Sequence, residues 1–220
     1  MSREISATDQ KLLSAGGLAG LLFCGVAIHG ILTRPAFDLQ RHAVSNLSLG
    51  EQGWTMVTAF IGSGALVLLC AVGLAHILTE GRGRRALPIL VGIYGLGLII
   101  AGIFPPPVCC GFPAGTPEDL QPVMTTSAIL HSVGFMVAFS SLIIAAFVAA
   151  ARLKGGWSTL SLAAGLAMPL LVGLGMGGVV APGIAFFAAA IIGWAWLGSI
   201  VLPLADGSAP GLGDAAPSLQ

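Results

Sequence analysis

Six long stretches of mostly apolar residues divide the chain, and all nine basic and all nine acidic residues fall outside them. A helix that crosses the hydrocarbon core of a bilayer needs about 20 mostly apolar residues. The stretches that meet this requirement are residues 12–32, 54–78, 87–105, 125–151, 158–180 and 183–204. The pattern therefore predicts an all-α fold, a polytopic bundle of six transmembrane helices.

The composition agrees with a surface that faces lipid. Charged residues make up 8% of the chain and the mean hydropathy is +0.96, whereas soluble domains have about 25% charged residues. The formal net charge is zero, which excludes the strongly basic surface of nucleic-acid-binding proteins. We expect membrane lipid, and no nucleic acid, as a partner.

We expect a single membrane domain over residues 1–205, followed by a tail. Residues 206–220 are rich in Gly, Ala, Pro and Ser, which is typical of disordered segments. The residues before the first apolar stretch mix acidic and basic side chains, and the stretch is longer than the core of a signal peptide. We therefore interpret it as a first span that is retained.

The distribution of Lys and Arg predicts the orientation, because cytoplasmic loops of membrane proteins carry an excess of both. A cytoplasmic N-terminus would place seven basic residues inside and only Arg34 and Arg41 outside. The seven are Arg3, Lys11, Arg82, Arg84, Arg85, Arg152 and Lys154. We expect a multi-pass protein of the inner cell membrane with both termini in the cytoplasm.

The absence of charged residues from the six stretches bears on function. Proton-coupled transporters, pumps and voltage sensors keep ionisable groups at membrane depth. Here the spans offer mainly His29, His76, His131 and Tyr94. This composition disfavours proton-coupled transport but is compatible with a neutral or lipid-like ligand.

The first outer loop predicts a short amphipathic helix that lies in the membrane interface. Asp38 is a suitable N-cap and Gly50 a suitable helix stop. The apolar residues that would share one helix face are Leu39, Ala43, Val44 and Leu47.

A second face of that helix would carry a candidate catalytic group, with Asp38, His42 and either Ser45 or Asn46 in one stripe. The carboxylate could orient the imidazole, and His42 could then activate Ser45 or hold a metal ion. In the alternative interpretation Asp38 only caps, Arg41 contacts lipid phosphate and His42 packs.

His131 lies six residues into the fourth span, which is roughly 9 Å below the outer edge of the membrane. We expect it to face the bundle interior, with Ser127 one turn away as a hydrogen-bond partner. His29 lies near the outer end of the first span. Convergence of His29, His42 and His131 would suit zinc, whereas the alternative is three separately hydrogen-bonded histidines. Haem binding is disfavoured, because no pair at a matched depth is evident.

The second outer loop, residues 104–119, is dense in Pro and Gly, which predicts a rigid non-helical cover. Its Cys109 and Cys110 would face an oxidising compartment. Three states stay open for this pair: a vicinal disulfide, free thiols, or a link between two chains.

Two G-x-x-x-G patterns occur inside the spans, at Gly16 and Gly20 and at Gly173 and Gly177. Small residues at this spacing let helix backbones approach closely in lipid. They predict packing within the chain or, alternatively, a homo-oligomer or a partner membrane protein.

Several segments resemble the domain of unknown function 998 family. They are residues 38–50 followed by the Gly-Trp pair at 53–54, residues 102–105, residues 111–117, and His131 with the Gly-Phe pair at 134–135. The resemblance covers roughly residues 10–205, and it implies a bacterial or archaeal multi-pass membrane protein with no established activity. A more distant likeness to membrane hydrolases of the alkaline ceramidase type implies a zinc site of Ser, Asp and three His.

Three functions follow from these patterns. The first is a binding or accessory protein with a polar site at the outer face, which takes a lipid, a hydrophobic small molecule or a membrane protein partner. The second is a lipid hydrolase, metal-dependent in one version, with His42 or His131 as base and Ser45 as nucleophile. In it Asp38 would orient the base and Arg41 would contact phosphate. The third is a small-molecule transporter.

Overall fold

The computed structural model describes residues 5–208, and six α-helices run through this part of the chain. All six are long and apolar enough to cross a membrane, which confirms the predicted fold class. They are α1 (Ala7–Thr33), α2 (Gly53–Ile77), α3 (Ala86–Ile103), α4 (Thr126–Arg152), α5 (Gly155–Met176) and α6 (Pro182–Ala205). The expected tail, residues 206–220, lies outside the described residues from residue 209 onward.

The six helices of the described part form a closed ring. Each helix packs against the next along the chain, and α6 packs against α1. Local capping sets helix ends that hydropathy alone does not give. The hydroxyl of Ser6 accepts a hydrogen bond from the backbone N–H of Asp9, so α1 begins at Ala7 rather than at residue 12.

Contact between α3 and α4 is close because both helices present glycine to each other. A Cβ on Gly97 would lie 2.6 Å from the backbone nitrogen of Ala138, and one on Gly134 would lie 2.7 Å from that of Ala101. Larger side chains would hold the two backbones apart. This contact sets the position of His131, which lies three residues before Gly134 on α4.

The two G-x-x-x-G patterns have different surroundings. A Cβ on Gly16 would lie 2.7 Å from the sulfur of Cys70, and one on Gly20 would lie 3.3 Å from Trp194. This first pattern therefore packs within the chain. A Cβ on Gly173 would meet nothing within 4 Å among the described residues, so association with another chain through that face stays a prediction.

The first long loop differs from the predicted amphipathic interfacial helix. Residues 38–41 form turns, and a 3-10 helix, η1 (Val44–Ser48), follows. The apolar residues of η1 are buried, and η1 packs on α1, α2 and α6. Two glycines make room for this segment: Leu47 lies over Gly30, and the carbonyl oxygens of Leu39 and His42 lie against Gly183. The apolar face therefore enters the bundle rather than lying on lipid.

Candidate functional site

One end of the bundle is closed by two long loops, residues 34–52 and 104–125, which we call the loop cap. Arg34 joins its parts. The guanidinium donates hydrogen bonds to the carbonyl oxygens of Leu47 at 3.0 Å and Leu49 at 2.6 Å, and it lies 5.3 Å from the ring centroid of Phe112. Burial lowers the pKa of Arg34 from its usual value. From the sequence, Arg34 serves only to predict the orientation of the protein in the membrane. Its role as a clamp that joins the parts of the loop cap depends on tertiary contacts that the sequence does not reveal.

His42 connects the two loops of the cap and is only 2% exposed. Its Nδ1 accepts a hydrogen bond from the backbone N–H of Asp38 at 3.0 Å. Because a backbone N–H can only donate, the proton of the neutral ring is on Nε2, which donates to the carbonyl of Cys110 at 2.9 Å. The ring also packs against Phe37 and Phe112. Both ring nitrogens of His42 are thus used within the protein.

The predicted stripe around His42 is not assembled as a catalytic group. The carboxylate of Asp38 accepts a hydrogen bond from the backbone N–H of Gln40 at 2.8 Å, and only the backbone of Asp38 contacts His42. Within residues 5–208 no hydrogen bond joins Ser45 to His42. The exposed Arg41 instead forms an ion pair with Glu118, at 3.3 Å, across the two loops.

His131 lies inside the ring of helices and is 7% exposed. Its Nδ1 is 2.9 Å from the carbonyl oxygen of Ala101 and 2.8 Å from that of Phe104, at the end of α3. Carbonyl oxygens only accept, so Nδ1 carries the proton and donates to both. Nε2 of the neutral ring is therefore an acceptor, and in the described part of the chain it has no hydrogen-bond partner. Ser127, the predicted partner, donates to the carbonyl of Pro105 instead.

The side chain of His131 lines a cavity of about 310 Å³ within the ring of helices. Ser45 on η1 forms part of the wall beside the loop cap. Much of the remaining wall is aromatic, and it includes Phe23, Phe60, Phe135, Phe186, Phe187 and Trp194. No Asp, Glu, Lys or Arg of the described residues lines it.

Some polar side-chain atoms in this wall form no hydrogen bond within residues 5–208. They include Nε2 of His131 and the hydroxyl of Ser45. They also include the hydroxyl of Tyr94, the only tyrosine of the chain, a residue that is 4% exposed. The hydroxyl of Ser132, by contrast, already donates to the carbonyl of Ala128. Tyr94 is not among the predicted site residues, although a single tyrosine at mid-span is a usable signal.

The cavity reaches the outer surface of the helix ring. Met136 on α4 and Met176 at the end of α5 both line it, and they are 47% and 66% exposed. The exposed edge of the cavity therefore lies beside α4 and the end of α5, two helices that are apolar enough to span a membrane. A hydrophobic molecule could enter there without passing the loop cap.

The three histidines of the predicted zinc site are not brought together. His29 is exposed on the outside of α1, and neither it nor His42 lines the cavity with His131. Among residues 5–208, no three His, Cys, Asp or Glu side chains lie close enough to hold a metal ion. His76, at the other end of the bundle, binds Asp9 at 2.8 Å.

Cys109 and Cys110 lie in the loop cap and are joined by a disulfide bond in the structure. Cys110 has a positive φ of 61°, and its carbonyl oxygen is the one that accepts from His42. This carbonyl connects the pair to the first loop. The oxidation state of the pair in the cell stays a prediction.

Comparison with known proteins places the chain in a family. No curated protein and no solved structure is detectably similar to it. A family model described as a protein of unknown function, DUF998, matches residues 18–202, which is most of the chain and includes the cavity. This multi-pass membrane protein belongs to the DUF998 family.

Proposed function

We propose that this protein binds a lipid or another hydrophobic small molecule in the cavity beside the loop cap, as a binding or accessory protein of the membrane. The observation that carries the proposal is the unpaired Nε2 of His131, a residue in the wall of a largely apolar cavity whose lining includes exposed residues of α4 and α5.

An energetic argument supports a bound partner for this atom. A polar group buried without a hydrogen bond costs roughly 1–3 kcal/mol. In a cavity from which water is excluded, the unpaired atoms of His131, Tyr94 and Ser45 would bear this cost. A ligand that satisfies any of these groups would offset that cost. The volume, about 310 Å³, is at the lower end of the roughly 300–1,000 Å³ typical of small-molecule sites.

The proposal includes the orientation of the protein. Arg82, Arg84, Arg85 and Arg152 lie at the end of the bundle opposite the loop cap, and the positive-inside rule places such an end in the cytoplasm. The cavity would then open toward the outer leaflet. Labelling of an Arg84→Cys variant with a membrane-impermeant reagent tests this orientation. Labelling of the variant in intact cells would show that this end of the bundle lies outside, which is the opposite of the proposed orientation.

Filling the cavity tests the binding function. Ala190 lines the cavity on α6, and Ala195 on the same helix is exposed and does not line it. The probes are oleyl alcohol, oleic acid and oleylamine, added to protein in a mild detergent and followed by native mass spectrometry. We expect at least one probe to bind the wild type, Ala190→Phe to weaken it tenfold or more, and Ala195→Phe to leave it unchanged. Binding that Ala190→Phe does not affect would overturn the proposed site.

A lipid hydrolase is the second candidate, and one observation favours it. Ser45 and His131 line the same cavity, and the neutral Nε2 of His131 is in the form that a general base requires. A monoolein hydrolysis assay distinguishes the two functions. Activity that is lost in Ser45→Ala and in His131→Asn would favour the hydrolase, and inactive protein that still binds lipid would favour the binding function.

A small-molecule transporter is the third candidate, and it has no equivalent observation in its favour. Uptake into proteoliposomes tests it. If the cavity served transport, His131→Ala would reduce uptake, while His29→Ala, at an exposed position outside the cavity, would retain it.

A further inference from the structure

We infer that the ligand of this cavity is an uncharged amphiphile whose head group carries a hydroxyl, that is, a lipid alcohol. This inference rests on the proposed binding function and names the chemical class of its ligand. It is carried by the direction of the hydrogen bonds at His131 and by the absence of charged residues from the cavity wall in the described part of the chain.

The first step concerns the hydrogen that the ligand must provide. The carbonyl oxygens of Ala101 and Phe104 hold the proton of the neutral His131 ring on Nδ1. Nε2 can therefore accept a hydrogen bond but not donate one. A hydroxyl head group satisfies it, whereas an ether, ester or ketone has no hydrogen to give.

The second step concerns charge. A carboxylate or phosphate head would be buried without a cationic partner, since the described residues place no Lys or Arg in the wall. An ammonium head could donate to His131, but it would be buried without an anion. The aromatic wall gives a cation only about 2 kcal/mol, whereas burial of an isolated charge costs far more. Both classes of charged head group are therefore disfavoured.

The third step concerns a second polar atom. Tyr94 lies seven residues before Ala101 on α3, which is roughly 10 Å along the helix axis. Its unpaired hydroxyl, like that of Ser45, can donate to an oxygen of the same ligand or accept from one. These groups together favour a neutral molecule with oxygen at its head, and the aromatic wall holds its hydrocarbon part.

A matched set of probes tests the head group. Oleyl alcohol, its methyl ether, oleic acid at pH 8 and oleylamine have the same chain and differ only at the head. We expect native mass spectrometry of wild-type protein in mild detergent to show about fivefold tighter binding of the alcohol than of the ether, as expected for one net hydrogen bond. The acid and the amine should bind more weakly than the alcohol.

One substitution isolates Nε2 of His131. In His131→Asn the side-chain amide can still donate to the carbonyls of Ala101 and Phe104, but its oxygen takes the place of a ring carbon, so the acceptor is withdrawn from the position of Nε2. We expect the alcohol to bind this variant no more tightly than the ether does. The control is His29→Asn, which changes an exposed histidine outside the cavity and should keep the preference of the wild type.

The outcomes separate this inference from the proposed function. If wild-type protein binds the ether or the acid as tightly as the alcohol, the head-group inference is overturned and the binding function stands. If none of the four probes binds above the detergent background, the binding function itself fails. Because the comparison of alcohol with ether uses wild-type protein, it decides the matter even if His131→Asn does not fold.

Discussion

Two buried histidines, one in the loop cap and one in the cavity, illustrate how different the two regions are. His42 and His131 are both shielded from solvent, and both bind backbone carbonyls. In the loop cap, a backbone donor and a backbone acceptor take up both ring nitrogens of His42. In the cavity, the backbone takes up only Nδ1 of His131, and Nε2 faces an apolar space.

This difference shows that the hydrogen-bond partners of the two ring nitrogens determine whether a buried histidine is able to bind a ligand. His42 has Asp38 and Ser45 at suggestive spacing, yet its hydrogen bonds hold two loops together. His131 has no acidic residue one turn away, and its neighbour Ser127 donates elsewhere, yet it keeps a free lone pair. The loop cap is a structural region whose polar groups satisfy one another, and the cavity is the region with unused capacity to bind.

The same substitution at both histidines gives the largest expected effect. His42→Asn removes the hydrogen bond to Cys110 and leaves a cavity between Phe37 and Phe112, so we expect a loss of about 3 kcal/mol in the free energy of unfolding. His131→Asn keeps its internal hydrogen bonds and should lose less than about 1 kcal/mol. Unfolding by SDS titration in mixed micelles measures both. Equal losses at the two positions would break the comparison.

Arg34 tests whether the loop cap depends on its clamp. Arg34→Gln cannot reach both carbonyl oxygens, of Leu47 and Leu49, and it loses the contact with Phe112. We expect the free energy of unfolding to fall by about 2 kcal/mol, since hydrogen bonds from a charged group contribute roughly 1.5–3 kcal/mol. The same titration measures it. A neutral result would mean that η1 is held by apolar burial alone.

The third prediction asks whether the position of His131 depends on the contact between α3 and α4. A Cβ on Gly134 would lie 2.7 Å from the backbone nitrogen of Ala101 and 2.9 Å from the carbonyl oxygen of Gly97, and neither atom can move away alone. Gly134→Ala should therefore cost about 1–2 kcal/mol in the free energy of unfolding and weaken binding of oleyl alcohol. The matched control, Gly173→Ala, meets nothing within 4 Å in the described chain and should lose no stability.

The smallest effect is expected at the exposed edge of the loop cap. The ion pair of Arg41 with Glu118 is accessible to solvent, and exposed pairs contribute little. Arg41→Gln should change the free energy of unfolding by no more than about 0.5 kcal/mol. A larger loss in the same titration would show that the rim of the cap, and not its buried centre, holds the two loops together.

The spans are predictable because hydrocarbon excludes charge along a whole helix, and this signal does not depend on tertiary contacts. The ends of the helices are less predictable from hydropathy, because a single N-cap such as Ser6 extends α1 beyond its apolar stretch. The first loop cannot be predicted from its periodicity. Whether its apolar face meets lipid or the bundle depends on Gly30 and Gly183, which belong to other elements.

The candidate site is predictable only in part. The cost of exposing an imidazole to lipid predicts His131 inside the bundle, whereas His29, closer to the end of its helix, is exposed. The state of its two nitrogens depends on the carbonyl groups of Ala101 and Phe104, which no pattern around His131 reveals. The sequence singles out Tyr94 as the one tyrosine, but only the structure shows that it lines the cavity and that its hydroxyl has no hydrogen-bond partner within the described residues.

The exposed edge of the cavity at Met136 and Met176 has a consequence for how the site would be occupied. A ligand that enters from the bilayer does not pass through water, so the occupancy of the site would depend on the mole fraction of that ligand among the surrounding lipids. An amphiphile is enormously enriched in a leaflet compared with the aqueous phase. Even a small free-energy preference of the ligand for the cavity over the bilayer would therefore keep the site occupied. Competition among lipids would determine which of them is bound.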